Sequence, residues 1–143
     1  TSMSIAENLF DISLNYFALI RAYASRFELT LPQAFILLYI PFDGATISEL
    51  SNKLGVDIST MTRNLQRIER KNLIIRKINP NDKRSTKLVL SSRGQELSNA
   101  LQQKIEKNLN LILSKYDYKK SHQIKNHLES LSWELYLFRE NLK

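Results

Sequence analysis

The stretch DISTMTRNLQRIER, Asp57 to Arg70, constrains the fold of this chain more than any other. Ile58, Met61, Leu65 and Ile68 recur at steps of three, four and three, which at about 100° per residue places them on one stripe of a helix. The same rotation carries Ser59, Thr60, Arg63, Gln66, Arg67 and Arg70 to the opposite side, a face of hydrogen-bond donors with almost no negative charge. Asp57 is placed to cap the helix. The stripe needs a partner layer, and the outer face is left to water or to a polyanion.

Downstream of this helix the pattern changes to a hairpin. "LIIRKI" and "TKLVL" read as two strands bounded by an Asn79-Pro80-Asn81-Asp82 turn, with Lys83 and Arg84 at the tip. Asp82 can act as the turn former or can orient Arg84 through a salt bridge, and the turn role is the favoured reading.

Elsewhere helix dominates, because three Gly and three Pro in 143 residues leave little room for a turn-rich all-β fold. Ile5, Leu9, Ile12, Tyr16, Leu19 and Tyr23 predict an amphipathic helix to about Phe27. Thr30 and Gln33 in "TLPQ" form a capping box for a helix ending before Pro41, and Thr46 and Glu49 in "TISE" repeat it for a short helix stopping at Gly55. Ser91 caps a long helix to about Tyr116. A last helix from about Ser121 carries Ile124, Leu128, Leu131, Leu135, Phe138 and Leu142 in near-heptad steps. No repeat or linker interrupts this order, so a single domain is expected.

Charge is concentrated in one segment. Between Lys53 and Arg93 stand eleven Lys and Arg residues against Asp57, Glu69 and Asp82, a net of +8, while the rest carries ten cations and eleven acids. Solubility does not require such segregation; a nucleic-acid footprint does. The absence of cysteine excludes disulfides, thiolate metal sites and thiol redox sensing. No apolar run is long enough to cross a bilayer and no signal-peptide pattern is present, so a soluble cytoplasmic protein without membrane contact is expected.

Two short helices meeting near Gly55, the second one basic, make a helix-turn-helix candidate for double-stranded DNA. Arg63 and Arg67 can address guanine acceptors or phosphates, and Gln66 can pair with adenine. Ser59, Thr60 and Thr62 sit where orphan backbone donors also favour phosphate. Taken alone, this face reads equally as a solvated helix surface. The basic hairpin shifts the balance: a helix in one groove and a tip at the backbone or the neighbouring minor groove use both electropositive parts.

From Leu29 to Gly94 the chain resembles the winged helix-turn-helix core of the MarR family of transcription regulators. "DISTMTRNLQRIERKNLI" resembles the recognition helix, and "NDKRSTKLVLSSRG" the wing, with the family's Asp-x-Arg motif at Asp82, Lys83 and Arg84. Asn72 stands where the family has Gly, and Ser91 where it has Thr; Asn tolerates positive φ and Ser caps a helix. The resemblance implies a mainly α fold with a small β-hairpin wing, its core at 29–94 and dimerisation helices at 4–27 and 95–143. It also implies a homodimer on a pseudopalindromic operator, with repression the expected outcome. On its own, the terminal apolar seam reads more readily as intramolecular core. DNA-binding residues carried over are Ser59, Thr60, Thr62, Arg63, Gln66, Arg67 and Arg70 on the helix, and Asp82, Lys83, Arg84 and Lys87 on the wing. By the same analogy a small anionic or phenolic effector would meet Tyr16, Arg21, Tyr23 and Tyr39, although core aromatics and a surface Arg are the simpler reading.

Rival functions are weaker. His122 and His127 lie five residues apart, on different sides of a helix, which is poor geometry for shared metal ligation. Three scattered glycines form no phosphate cradle and no Gly-x-Ser-x-Gly elbow exists, so neither an enzyme nor a cofactor or metal is expected. A basic architectural or RNA-binding protein is the alternative, but its RNA form would want exposed aromatics on the sheet, and these strands offer aliphatics.

Overall fold

The computed structural model describes residues 2–79 and 81–143, the side chains of Asn79, Lys83 and Ser85 apart. Its order is α1 (Ile5–Ser25), α2 (Leu31–Tyr39), α3 (Ile47–Leu54), α4 (Ile58–Arg70), β1 (Ile74–Asn79), β2 (Asp82–Leu90), α5 (Ser92–Leu113) and α6 (Tyr118–Asn141). A mainly helical chain with one antiparallel hairpin is therefore realised. Two compact units are present, Thr1–Ile105 and Glu106–Lys143, the boundary falling within α5.

Local chemistry explains the boundaries in the first unit. Thr30 Oγ1 accepts from the Gln33 N–H while the Gln33 side chain accepts from the Thr30 N–H, a complete capping box that starts α2. At α3 the box is only half made. Thr46 accepts from the Glu49 N–H, but the Glu49 carboxylate takes the Thr46 hydroxyl instead of the backbone N–H. Gly55 ends α3 in the left-handed conformation. Asn72 follows α4 at φ 60, filling the position that wants Gly. Ser91 Oγ accepts from the Gly94 N–H at 3.0 Å and donates to the Asn72 carbonyl at 2.7 Å, so the cap of α5 also fastens the end of α4.

The core of this unit is built from Ile20 and Ala24 of α1, Ile36 and Leu37 of α2, Leu50, the α4 stripe, Leu73, Leu88, and Leu101 and Ile105 of α5. Each fully buried Leu or Ile contributes about 1.5–3 kcal/mol of transfer free energy. Within the α4 stripe Met61, Leu65 and Ile68 are buried, whereas Ile58, on the first turn at the edge of the stripe, is exposed. The expected α1 face is corrected in the same way. Its buried residues are Ile20 and Ala24, near the C-terminal end, and Ile5 and Ile12 are exposed. Buried Ser98 satisfies its hydroxyl by donating to the Leu37 carbonyl at 2.7 Å, tying α5 to α2.

The hairpin pairs Ile74 with Leu90, Arg76 with Leu88 and Lys77 with Lys87, then shifts register between Ile78 and Asn79. On its other edge β2 exchanges two backbone hydrogen bonds between Leu88 and Ala45. Gly44, at φ 91, makes that approach, since a Cβ there would meet the Leu88 carbonyl at 2.8 Å.

In the second unit α6 begins at Tyr118, three residues before the expected start. Asp117 is the reason, as its carboxylate accepts from the Lys120 N–H at 2.7 Å. None of its residues is buried, and Leu128, Leu135, Phe138 and Leu142 of the seam are exposed.

Candidate nucleic-acid interface

The outer face of α4 stands as its rotation requires. Ser59, Arg63, Gln66, Arg67 and Arg70 are exposed, and Thr60 and Thr62 are half-buried at its edges. Arg67 and Arg70 fall in the last turn, where the helix dipole favours cations. The helix has one acid, Glu69, and Arg76 of β1 engages it with two nitrogens at 2.7–3.0 Å. That bond holds the Arg76 guanidinium in its charged form more firmly than usual. The ion pair also joins α4 to the hairpin.

At the front of α4 the hydroxyls are already committed. Ser59 Oγ donates to Asp57 Oδ1 at 2.6 Å, and Thr60 donates its hydroxyl and its backbone N–H to the same carboxylate, each at 2.8 Å. Hydrogen bonds from Ser59 first, then Thr60, hold the Asp57 carboxyl well below the usual carboxylate range. Thr62 Oγ1 donates to the Ile58 carbonyl at 2.8 Å. Arg63 Nη2 donates to Thr60 Oγ1 at 3.3 Å. Asp57, which sequence reasoning assigned only a capping role, is thus the hub of this end.

The wing separates the two roles considered for Asp82. Its carboxylate accepts from the Arg84 N–H at 2.9 Å, the expected turn contact, while its distance to Arg84 Nε is 3.8 Å and the Arg84 side chain is 97% exposed. A pair that long and that exposed contributes little. The side chain of Lys83 lies outside the described residues, as does Pro80 of the turn. Lys87 sits directly opposite Lys77, so both ammonium groups project from one face of the hairpin, and neither has an ion-pair partner among the described residues. Like charges directly opposed across strands are destabilising unless an anion lies between them. Lys77 is not among the residues selected from the sequence; counted back from the turn it falls opposite Arg84, and the register shift between Ile78 and Asn79 is what brings Lys87 across from it.

The four effector candidates divide. Tyr16 and Tyr39 end a run of rings through Phe17 and Phe35, with centroid separations of 6.2, 5.1 and 6.4 Å, and Lys53 Nζ lies 5.8 Å over the Tyr39 ring. Tyr23 instead has the Arg26 guanidinium at 5.7 Å and Lys104 Nζ at 5.8 Å. Arg21 is exposed and belongs to neither set.

A bracing helix, a turn at Gly55, a second helix with a cationic outer face and a basic hairpin define a winged helix-turn-helix module. Comparison with known proteins agrees. The MarR family model matches residues 29–86. Crystal structures of similar fold include apo MarR from E. coli, at 22% identity over 92% of this chain and 98% of that one, TM-score 0.79. They also include the S. aureus MepR–DNA complex, at 22% identity over 93% and 99%, TM-score 0.75. A further structure titled MarR shares 23% identity over 98% and 96%, TM-score 0.84. By sequence, no curated protein matches the chain. Over residues 29–86 the chain matches the MarR family, and its fold is that of the MarR and MepR structures.

Proposed function

We propose that the chain is a sequence-specific DNA-binding transcription regulator that binds a pseudopalindromic operator as a homodimer and acts there as a repressor. The observation that carries this reading is the outer face of α4, which exposes Ser59, Arg63, Gln66, Arg67 and Arg70 while its one acid is engaged by Arg76. Arg and Gln are the side chains that address guanine and adenine edges in the major groove. The opposed Lys77 and Lys87 and the exposed Arg84 give the wing a phosphate-seeking face. The MepR structure is a complex with DNA, and its likeness supports the same use of the fold here. A homodimer accords with the exposed seam of α6 and gives two such modules for two half-sites.

Neither catalysis nor a cofactor enters this reading. Among the described residues no helix is long and apolar enough to cross a membrane. Work in the cytoplasm and release by a small anionic or phenolic ligand belong to the same proposal, and of the four effector candidates Tyr23, beside Arg26 and Lys104, and Tyr39, beneath Lys53, have the cations such a ligand would need.

The test is selection from a randomised duplex library followed by competition binding. A regulator keeps its selected duplex in about 100-fold excess of random DNA, because specific sites bind at least about 10³-fold tighter than non-specific ones. Equal loss to random competitor would turn the protein into an architectural DNA binder.

A further inference from the structure

An acid at the front of a DNA-facing helix opposes phosphate, so its retention within a segment of net +8 calls for a cause. The hydrogen bonds supply one. An ionised carboxylate only accepts, so the Ser59 and Thr60 hydroxyls, 2.6 and 2.8 Å from Asp57, must point their protons at it. What Ser59 then turns outward is lone pairs. Thr60, its proton spent, can only accept from Arg63 Nη2, and it does so at 3.3 Å.

We propose that Asp57 is the positioning residue that sets what the front of α4 reads: it presents Ser59 as an acceptor and makes Thr60 the bracket for the Arg63 guanidinium. Resting on the DNA-binding reading above, this assigns chemistry to bases. In the major groove cytosine N4 and adenine N6 carry donors, while guanine offers acceptors and thymine an acceptor and a methyl. Ser59, exposed on the same face as Arg63, therefore selects cytosine or adenine, and Arg63 selects guanine. On this proposal Ser59 and Thr60 act as acceptors at the helix end where the backbone donors favour phosphate.

Library selection at fixed salt with Ser59→Ala, Asp57→Asn, Thr60→Val, Thr60→Ser and Arg63→Ala tests this. The wild type selects cytosine or adenine at one position in each half-site, and Ser59→Ala lowers that preference by about three- to tenfold, the worth of one hydrogen bond. Thr60→Val weakens the same guanine preference that Arg63→Ala abolishes, and Thr60→Ser restores it. Asp57→Asn retains a helix cap and removes a charge facing phosphate, so it binds random duplex at least as tightly while discrimination falls at both positions. A cap alone would instead leave discrimination unchanged at both positions in Asp57→Asn, and that result, or an unchanged Ser59→Ala preference, overturns the proposal. A wild type that selects no sequence defeats the DNA-reading function itself, a distinct outcome.

Discussion

Arg76 holds the Glu69 carboxylate through both Nε and Nη2, so the first half of the wing is fastened to the last turn of α4 by one side-chain pair. Because Arg76 and Glu69 are only partly covered, at 37% and 28% side-chain exposure, solvent screens the pair and its contribution stays near that of a good surface bridge. Glu69→Gln is expected to lower unfolding free energy by about 0.5–1 kcal/mol in urea titrations. An unchanged midpoint would mean that the backbone alone fixes the wing against α4.

The opposed lysines make a prediction of two signs. Lys87→Glu places a carboxylate opposite Lys77, which should stabilise the free hairpin by about 0.2–1 kcal/mol. The same change should weaken DNA binding and reduce the slope of log affinity against log salt by about 1 to 2, as a phosphate contact is lost and an anion introduced. Thermal unfolding and binding at several salt concentrations read the two effects. Affinity that falls without a change in slope would take Lys87 off the phosphate backbone.

Gly94 gives the sharpest stability test. An added Cβ would lie 2.0 Å from the Leu73 carbonyl oxygen, and that neighbour is backbone, which cannot swing aside. Gly94→Ala should therefore destabilise by about 2–4 kcal/mol, since α5 must back away from Leu73 and strain the Ser91 cap. Chemical denaturation measures it. A loss under about 1 kcal/mol would show that the start of α5 shifts freely.

Helices and wing are legible in the sequence because their signals are local. Thr30, Thr46, Asp57 and Ser91 each announce a helix start, and Asn72 takes the positive φ that a missing glycine demands. Asp117 is an equally local signal, and by capping α6 it starts the helix at Tyr118, three residues before the expected Ser121. Periodicity tells which face of a helix is apolar and says nothing of how far along the helix the covering layer extends. This is why Ile58, Ile5 and Ile12 are exposed despite lying in register. Site residues are legible by type and face, but not by hydrogen-bond direction. Whether Ser59 donates or accepts depends on where the Asp57 carboxylate sits, a matter of tenths of an ångström that no spacing encodes. The effector candidates fare differently: Tyr23 and Arg21, two apart on α1, belong to different surroundings once α5 supplies Lys104.

Acid should expose the role of Asp57. Its carboxyl is held below the ordinary carboxylate value, chiefly by Ser59 and then Thr60, so the folded state binds its proton less readily than the unfolded chain. The stability this confers is fully present above the unfolded value of about 3.9 and is lost as pH falls toward and through the folded one. Asp57→Asn can still cap α4 but cannot titrate. The difference in unfolding free energy between wild type and Asp57→Asn should therefore be constant from about pH 7 to pH 5 and shrink below about pH 4, followed by urea denaturation at each pH. A difference as large at pH 2 as at pH 7 would mean that the ionised carboxylate does not hold the Ser59 and Thr60 hydroxyls, and would leave Arg63 without its bracket.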